Sequence, residues 1–149
     1  MDIADRFTAM PFADLVGVEV TEAADGHAAG TVEMRPELSS IAGRTVAHGG
    51  VTYTLADTVG GAAVISRTLD VAPTIDMRID YVSPATTDLF AEAEVLRLGG
   101  NVGVADVEVT DEDDQRVATA RGVYKTGGTG DGTPWGGGHL DELAADDAD

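Results

Sequence analysis

His48-Gly49-Gly50-Val51-Thr52-Tyr53-Thr54-Leu55-Ala56-Asp57-Thr58-Val59-Gly60-Gly61-Ala62-Ala63-Val64-Ile65-Ser66 is the stretch on which the fold turns. It reads as the core of a long helix running from near His48 to about Leu69. On a 100° wheel Val51, Leu55, Val59, Ala62 and Ala63 share one side, and Tyr53, Thr54, Asp57, Gly60, Gly61, Val64 and Ile65 take the other. Neither side is a solvated charged face, so the helix is expected to be buried all round. The Val51/Leu55 side would pack on a sheet. Two glycines inside a helix cost about 1 kcal/mol each relative to alanine, which close approach of another backbone would offset. The Gly60/Gly61 side is therefore expected to meet a second copy of the chain.

Asp57 is the only charged residue between His48 and Arg67. An unpaired carboxylate is expensive to desolvate, so a lone one in an apolar helix is a functional candidate. With no Lys or Arg within a helical turn, burial is expected to make it a better base near neutral pH. The bland reading is a buried acid bonded to Ser, Thr or Tyr across an interface. At the helix start, Gly49 and Gly50 leave backbone N–H groups open at the positive end of the helix dipole, where a carbonyl oxygen becoming an oxyanion could be held. Eight residues separate Gly49 from Asp57, about 12 Å of helix rise. One carbonyl cannot reach both within a chain, so a shared mechanism requires Asp57 from a second subunit.

Outward from the helix, Asp2 to Leu15 suggests a short helix interrupted at Pro11. Val16–Thr21 and Ala28–Arg35 alternate as strands around an Asp25-Gly26 turn, with Thr31, Glu33 and Arg35 on one face. Glu37 to Thr45 reads as a loop. Four strands follow the helix: Thr74–Tyr81, with Ile75, Met77, Ile79 and Tyr81 inward; Phe90–Leu98; Val102–Thr110; and Arg116–Thr126. Short turns between them imply antiparallel pairing. The fold class is α+β, one antiparallel sheet wrapped around one long central helix, over residues 1–126. Residues 127–149, rich in Gly and Asp, read as an acidic disordered tail with at most one helical turn at Leu140, Leu143 and Ala144.

The chain has 27 acidic residues against 9 basic, and Lys125 is its only lysine. Such a balance argues against nucleic acid or an anionic membrane as partner. An excess of Asp over Glu with almost no Lys is the pattern of a cytosolic protein from an extreme halophile. No cysteine is present, so disulfides and thiolate metal sites are excluded. The N-terminus lacks a signal-peptide pattern, and Val51–Ile65 is too short and polar to span a bilayer. A cytoplasmic location is expected. His27, His48 and His139 show no metal spacing, and no Gly-x-Ser-x-Gly exists for a serine hydrolase.

His48-Gly49-Gly50, Leu55-Ala56-Asp57-Thr58 and Ile79-Asp80-Tyr81-Val82-Ser83-Pro84 together resemble hotdog-fold acyl-CoA thioesterases of the PaaI (phenylacetate-degradation) type. The resemblance runs from about Phe12 to Thr126. It implies that the Gly49 N–H polarises the thioester carbonyl and that Asp57 of the other subunit is nucleophile or general base. It further implies that Thr74 helps hold the water and that His48 orients the loop. Gly50, with Arg78 and Arg97 toward coenzyme A phosphates, is the expected substrate-binding set. The resemblance implies an acyl-CoA partner, with no cofactor and no metal expected, and an assembly that is a dimer at minimum and, by resemblance, a dimer of dimers. Many relatives carry an Asn before the His; the matching position here is Ala42. Aryl acyl groups are favoured by analogy only. The rivals are a hotdog dehydratase or hydratase using His48 as base, and a non-catalytic acyl-ligand-binding module.

Overall fold

The computed structural model describes residues 2–136. The chain opens with two short helices, α1 (Ile3–Thr8) and α2 (Pro11–Val16). Asp2 caps α1 by accepting from the Asp5 N–H at 3.0 Å. Pro11 sits in the first turn of α2, where its missing N–H does no harm. Gly17, at φ +89°, closes α2 in the left-handed region. The expected first strand therefore loses Val16 to the helix and becomes β1 (Val18–Ala24). Asp25 and Gly26, both at positive φ, turn the chain tightly into β2 (His27–Val32).

β2 stops at Val32, short of the expected Arg35. Arg35 instead reaches back and donates to the carbonyls of Leu15 and Val16, each at 2.7 Å. These are the orphan acceptors at the end of α2, and a guanidinium satisfies them well. A single 3-10 turn, Pro36–Leu38, leads into a loop knitted by the Ser39 hydroxyl. Then comes α3 (Gly49–Thr68), within a residue or so of the helix expected from sequence. Beyond it lie β3 (Thr74–Tyr81), β4 (Leu89–Leu98), β5 (Val102–Thr110) and β6 (Arg116–Lys125).

The six strands form one sheet in the order β1-β2-β4-β5-β6-β3, antiparallel at every pairing. α3 lies along its inner face, the hotdog arrangement. Leu55, Ala56, Val59, Ala62, Ala63 and Val64 are fully buried against it. Gly30 on β2 lets the helix come this close: a Cβ there would lie 2.7 Å from Val59 Cγ2 and 2.9 Å from the Glu19 carbonyl.

The sheet curls far enough to cover a second side of α3. Tyr124 of β6, 1 % exposed, lays its ring against Gly60, Gly61 and Gly122. The partner expected for the Gly60/Gly61 side is thus not a second copy but a tyrosine of the same chain. The wheel could not anticipate this, because it treats a sheet as flat and a strongly twisted sheet wraps.

Among the described residues β3 is an edge strand, paired only with β6. Of its expected inward row, Met77 is buried and Ile79 partly so, but Ile75 and Tyr81 are 56 % and 51 % exposed. A bulge between Thr74 and Asp76, and the lack of a further strand among the described residues, leave them uncovered. Residues 127–136 follow β6 as turns, with Thr129 buried. The remainder of the expected tail, including His139 and the Leu140/Leu143/Ala144 turn, lies outside the described residues. No helix among them is long and apolar enough to cross a membrane.

Candidate active site

The first turn of α3 is held by its own flanks. His48 is the N-cap, and its Nδ1 accepts from the Gly50 N–H at 2.8 Å. Accepting at Nδ1 puts the proton of the neutral ring on Nε2. The Val51 N–H returns to the His48 carbonyl at 2.9 Å, and the His48 N–H donates to the Leu38 carbonyl. Among the described residues the Gly49 N–H has no acceptor. Of the two glycines singled out from sequence, Gly50 has its N–H committed to His48, while Gly49 keeps the open donor. Gly49 borders a cleft of about 480 Å³ lined with Val46, Ala47, Thr52, Tyr81, Pro84 and Val117.

Two turns along, Asp57 is half-buried in the single chain rather than enclosed. Its Oδ1 accepts from the Thr74 hydroxyl at 2.7 Å. The pair brings together two residues picked out separately from sequence. The Asp57 main-chain carbonyl also accepts from the Tyr124 hydroxyl at 3.1 Å. Burial, and then the nearby Asp57, push the Tyr124 phenol far above its ordinary range. Tyr53 is raised too, first by burial and then by Asp57 and Asp76.

Gly49, Tyr53 and Asp57 lie at i, i+4 and i+8, one line along the helix. β3 runs antiparallel beside that line. Its start meets Asp57 through Thr74, and its end meets Gly49, whose carbonyl accepts from the Tyr81 hydroxyl at 2.6 Å. All three tyrosines of the chain therefore border the Gly49–Asp57 segment. Sequence reasoning assigned none of them a role. The available signal was scarcity: only 3 tyrosines occur in 149 residues, and one of them is four residues before Asp57.

Arg78 stands on β3 with its side chain 79 % exposed, 3.4 Å from Asp80. It faces a larger concavity of about 1060 Å³ shared with Asp80, Glu92, Glu94, Asp106 and Glu108. That trough is lined by neither Gly49 nor Asp57, and its carboxylates would repel a phosphate. Arg97 is exposed near the end of β4, and Ala42 is exposed in the loop before His48. No group of residues suited to hold a metal ion is found among the described residues.

The chemistry of this arrangement is an open amide donor at one end of a helix line and a hydroxyl-supported carboxylate at the other. Residues 45–118 match the family model described as "Thioesterase superfamily". The chain is 37% identical over 122 residues to a Halobacterium salinarum protein whose name includes the word esterase, covering 74% of this chain and 80% of that one. It is 31% identical over 120 residues to acyl-coenzyme A thioesterase PaaI of Escherichia coli, covering 78% and 84%. The solved structure of E. coli PaaI superposes with a TM-score of 0.74 at 26% identity over 83% of this chain and 89% of that one. A crystal structure of another thioesterase-superfamily protein gives 0.77 at 36% identity, over 83% and 95%. The chain belongs to the thioesterase superfamily.

Proposed function

We propose that the protein is an acyl-CoA thioesterase whose active site forms between two copies of the chain. The observation that carries this reading is the open Gly49 N–H beside a cleft, with the Asp57–Thr74 pair on the same helix line. The helix rise of about 12 Å keeps the two apart within one chain. Among the described residues β3 is a free edge, and pairing it antiparallel with its own copy about the Met77/Arg78 midpoint would set Thr74 of one chain opposite Tyr81 of the other. Asp57 and Thr74 of one subunit would then stand beside Gly49 of its partner. An edge strand with exposed Ile75 and Tyr81, followed directly by exposed Val82, needs such a cover to avoid unspecific pairing.

In this site the thioester carbonyl oxygen accepts from Gly49 N–H. Asp57 takes a proton from water as the water oxygen bonds to the carbonyl carbon, with Thr74 orienting the carboxylate. The C–S bond then breaks, and the departing thiolate of coenzyme A takes up the proton. Asp57 acting directly as nucleophile is the variant of the same step. Of the two arginines considered for the coenzyme phosphates, Arg97 lies outside the acidic trough and is the better candidate. Acyl-CoA as the substrate class is supported by the names of two relatives, acyl-coenzyme A thioesterase PaaI and medium/long-chain acyl-CoA thioesterase YigI; aryl and medium- or long-chain acyl groups are separate arms of the substrate panel. The dehydratase rival needs His48 as base, but its Nδ1 is already occupied by Gly50 N–H. A cytoplasmic location and a salt-adapted surface belong to the same proposal.

The test is thiol release from aryl-, short- and long-chain acyl-CoA, with light scattering on the same samples. Asp57→Asn and Asp57→Ala should abolish turnover while the assembly stays a dimer or a dimer of dimers. Wild-type turnover in Asp57→Asn would remove the mechanism. Binding without release by the unmodified protein would support the non-catalytic module instead.

A further inference from the structure

We propose that Tyr81 is the positioning residue for the Gly49 amide donor; the proposal rests on the thioesterase reading above. Gly49 has no side chain to fix it, and glycine backbone is the most permissive of all. Something else must hold the donor on target, because an oxyanion contact is effective only in a narrow geometry. The Gly49–Gly50 peptide, which follows directly on the His48–Gly49 peptide that carries the donor, is gripped at both of its polar atoms. Its N–H, contributed by Gly50, goes to His48 Nδ1 at 2.8 Å, and its C=O, contributed by Gly49, accepts from the Tyr81 hydroxyl at 2.6 Å.

The ring adds a steric half to the clamp. A Cβ on Gly49 would lie 3.2 Å from Tyr81 Cζ and 3.2 Å from its Oη. The tyrosine thus covers the one side on which a larger residue could have been tolerated. Tyr81 itself is anchored as the last residue of β3, and the chain is fixed immediately afterwards by the Val82 N–H bonding to the Val117 carbonyl at 2.9 Å. Its hydroxyl is spent on the carbonyl, so it acts through Gly49 rather than on the substrate. The residue also lines the 480 Å³ cleft next to Gly49, which means loss of the ring and loss of the hydroxyl have separable effects.

Tyr81→Phe removes the hydroxyl and keeps the ring. Removing an oxyanion donor outright costs about 10²- to 10³-fold in kcat, so loosening one should lower kcat about tenfold. Because the effect is confined to the transition state, KM should stay within about twofold. The assay is steady-state thiol release by the full chain from the acyl-CoA that the unmodified protein turns over best, well below the melting temperatures. Asp57→Asn is run beside it. A second reading, independent of activity, is the amide spectrum of protein labelled with ¹⁵N-glycine. In Tyr81→Phe the Gly49 and Gly50 resonances should move and the remaining glycines hold.

Unchanged kcat in Tyr81→Phe with an inactive Asp57→Asn overturns the role of Tyr81 and leaves the thioesterase reading standing. A raised KM with unchanged kcat overturns it too, making Tyr81 a wall of the cleft. Movement of glycine resonances throughout the chain with a lower melting temperature assigns Tyr81 to the fold and overturns it likewise. Full turnover in Asp57→Asn removes the underlying reading, and the proposal with it.

Discussion

Gly60 and Gly61 are neighbours on the same helix, yet adding one methyl group to each should change stability in opposite directions. A Cβ on Gly61 would meet Tyr124 Cε1 at 3.4 Å and Phe7 Cε1 at 4.0 Å, ordinary contact distances. Gly61→Ala should therefore collect the helix-propensity gain of about 1 kcal/mol with nothing against it. A Cβ on Gly60 would run into Tyr124 Oη and lie 3.3 Å from Val107 Cγ2. The phenol has little room to step aside: Tyr124 is 1 % exposed, and its ring lies so close over Gly122 that a Cβ there would meet Tyr124 Cε2 at 2.5 Å. Overpacking of this kind costs about 1–3 kcal/mol. Displacing the hydroxyl from the Asp57 carbonyl adds about 0.5–1.5 kcal/mol. Less the propensity gain, Gly60→Ala should be destabilised by about 2 kcal/mol, some 3 kcal/mol below Gly61→Ala. Urea denaturation at fixed salt and protein concentration measures both. The double variant Gly60→Ala/Tyr124→Phe should recover part of the loss, since the clash is with the hydroxyl. A Gly60→Ala protein as stable as Gly61→Ala would refute the reasoning. It would mean that the ring does not occupy the space between helix and β6.

The remaining expectations concern the same face. Tyr124 keeps its proton in the folded chain well past the ordinary tyrosine value near 10. Its contribution to stability is therefore complete below about pH 10, and it is lost above that pH at about 1.4 kcal/mol per pH unit as the unfolded chain ionises first. Tyr124→Phe should flatten this alkaline slope in urea titrations. His48→Ala should lower stability by about 1 kcal/mol through loss of the N-cap bond to Gly50, visible as a shift in the urea midpoint without a change in slope. Melting temperature should rise from low to molar KCl as mutual repulsion among the 27 acidic residues is screened. A flat response would count against salt adaptation.

What was legible in the sequence was whatever depends on short-range order. The strand alternations and the apolar run gave the element order and both ends of α3 to within about a residue. Arg35 shows where that stops. It sat in phase with Thr31 and Glu33 and looked like a strand residue, but it is held by two carbonyls at the end of α2, twenty residues away. Nothing in the local pattern distinguishes a strand arginine from one recruited as a distant cap, because the acceptor is created only when the helix ends at Gly17.

The candidate site divides along the same line. Asp57 stood out because a charge inside an apolar run is a local anomaly, and Gly49 because a helix start always leaves donors open. The tyrosines did not, because their meaning lies in what the twist of the sheet brings to them. Tyr124 is an unremarked strand residue until β6 curls over α3 and finds two glycines there. Tyr81 is one of an alternating inward row until β3 proves to be the last strand, with its end against Gly49. The glycine pair was correctly read as a place of close approach, and only the identity of the visitor was wrong. That error has a consequence for the assembly. Gly60 and Gly61 are already covered by Tyr124, so in the proposed dimer the contact between copies would fall on the open edge of β3. The same edge separates the Gly49 donor from the Asp57 carboxylate. In the proposed dimer, a copy that covers it in antiparallel register would also bring a foreign Asp57 to Gly49, so that covering the edge and completing the site would be one event.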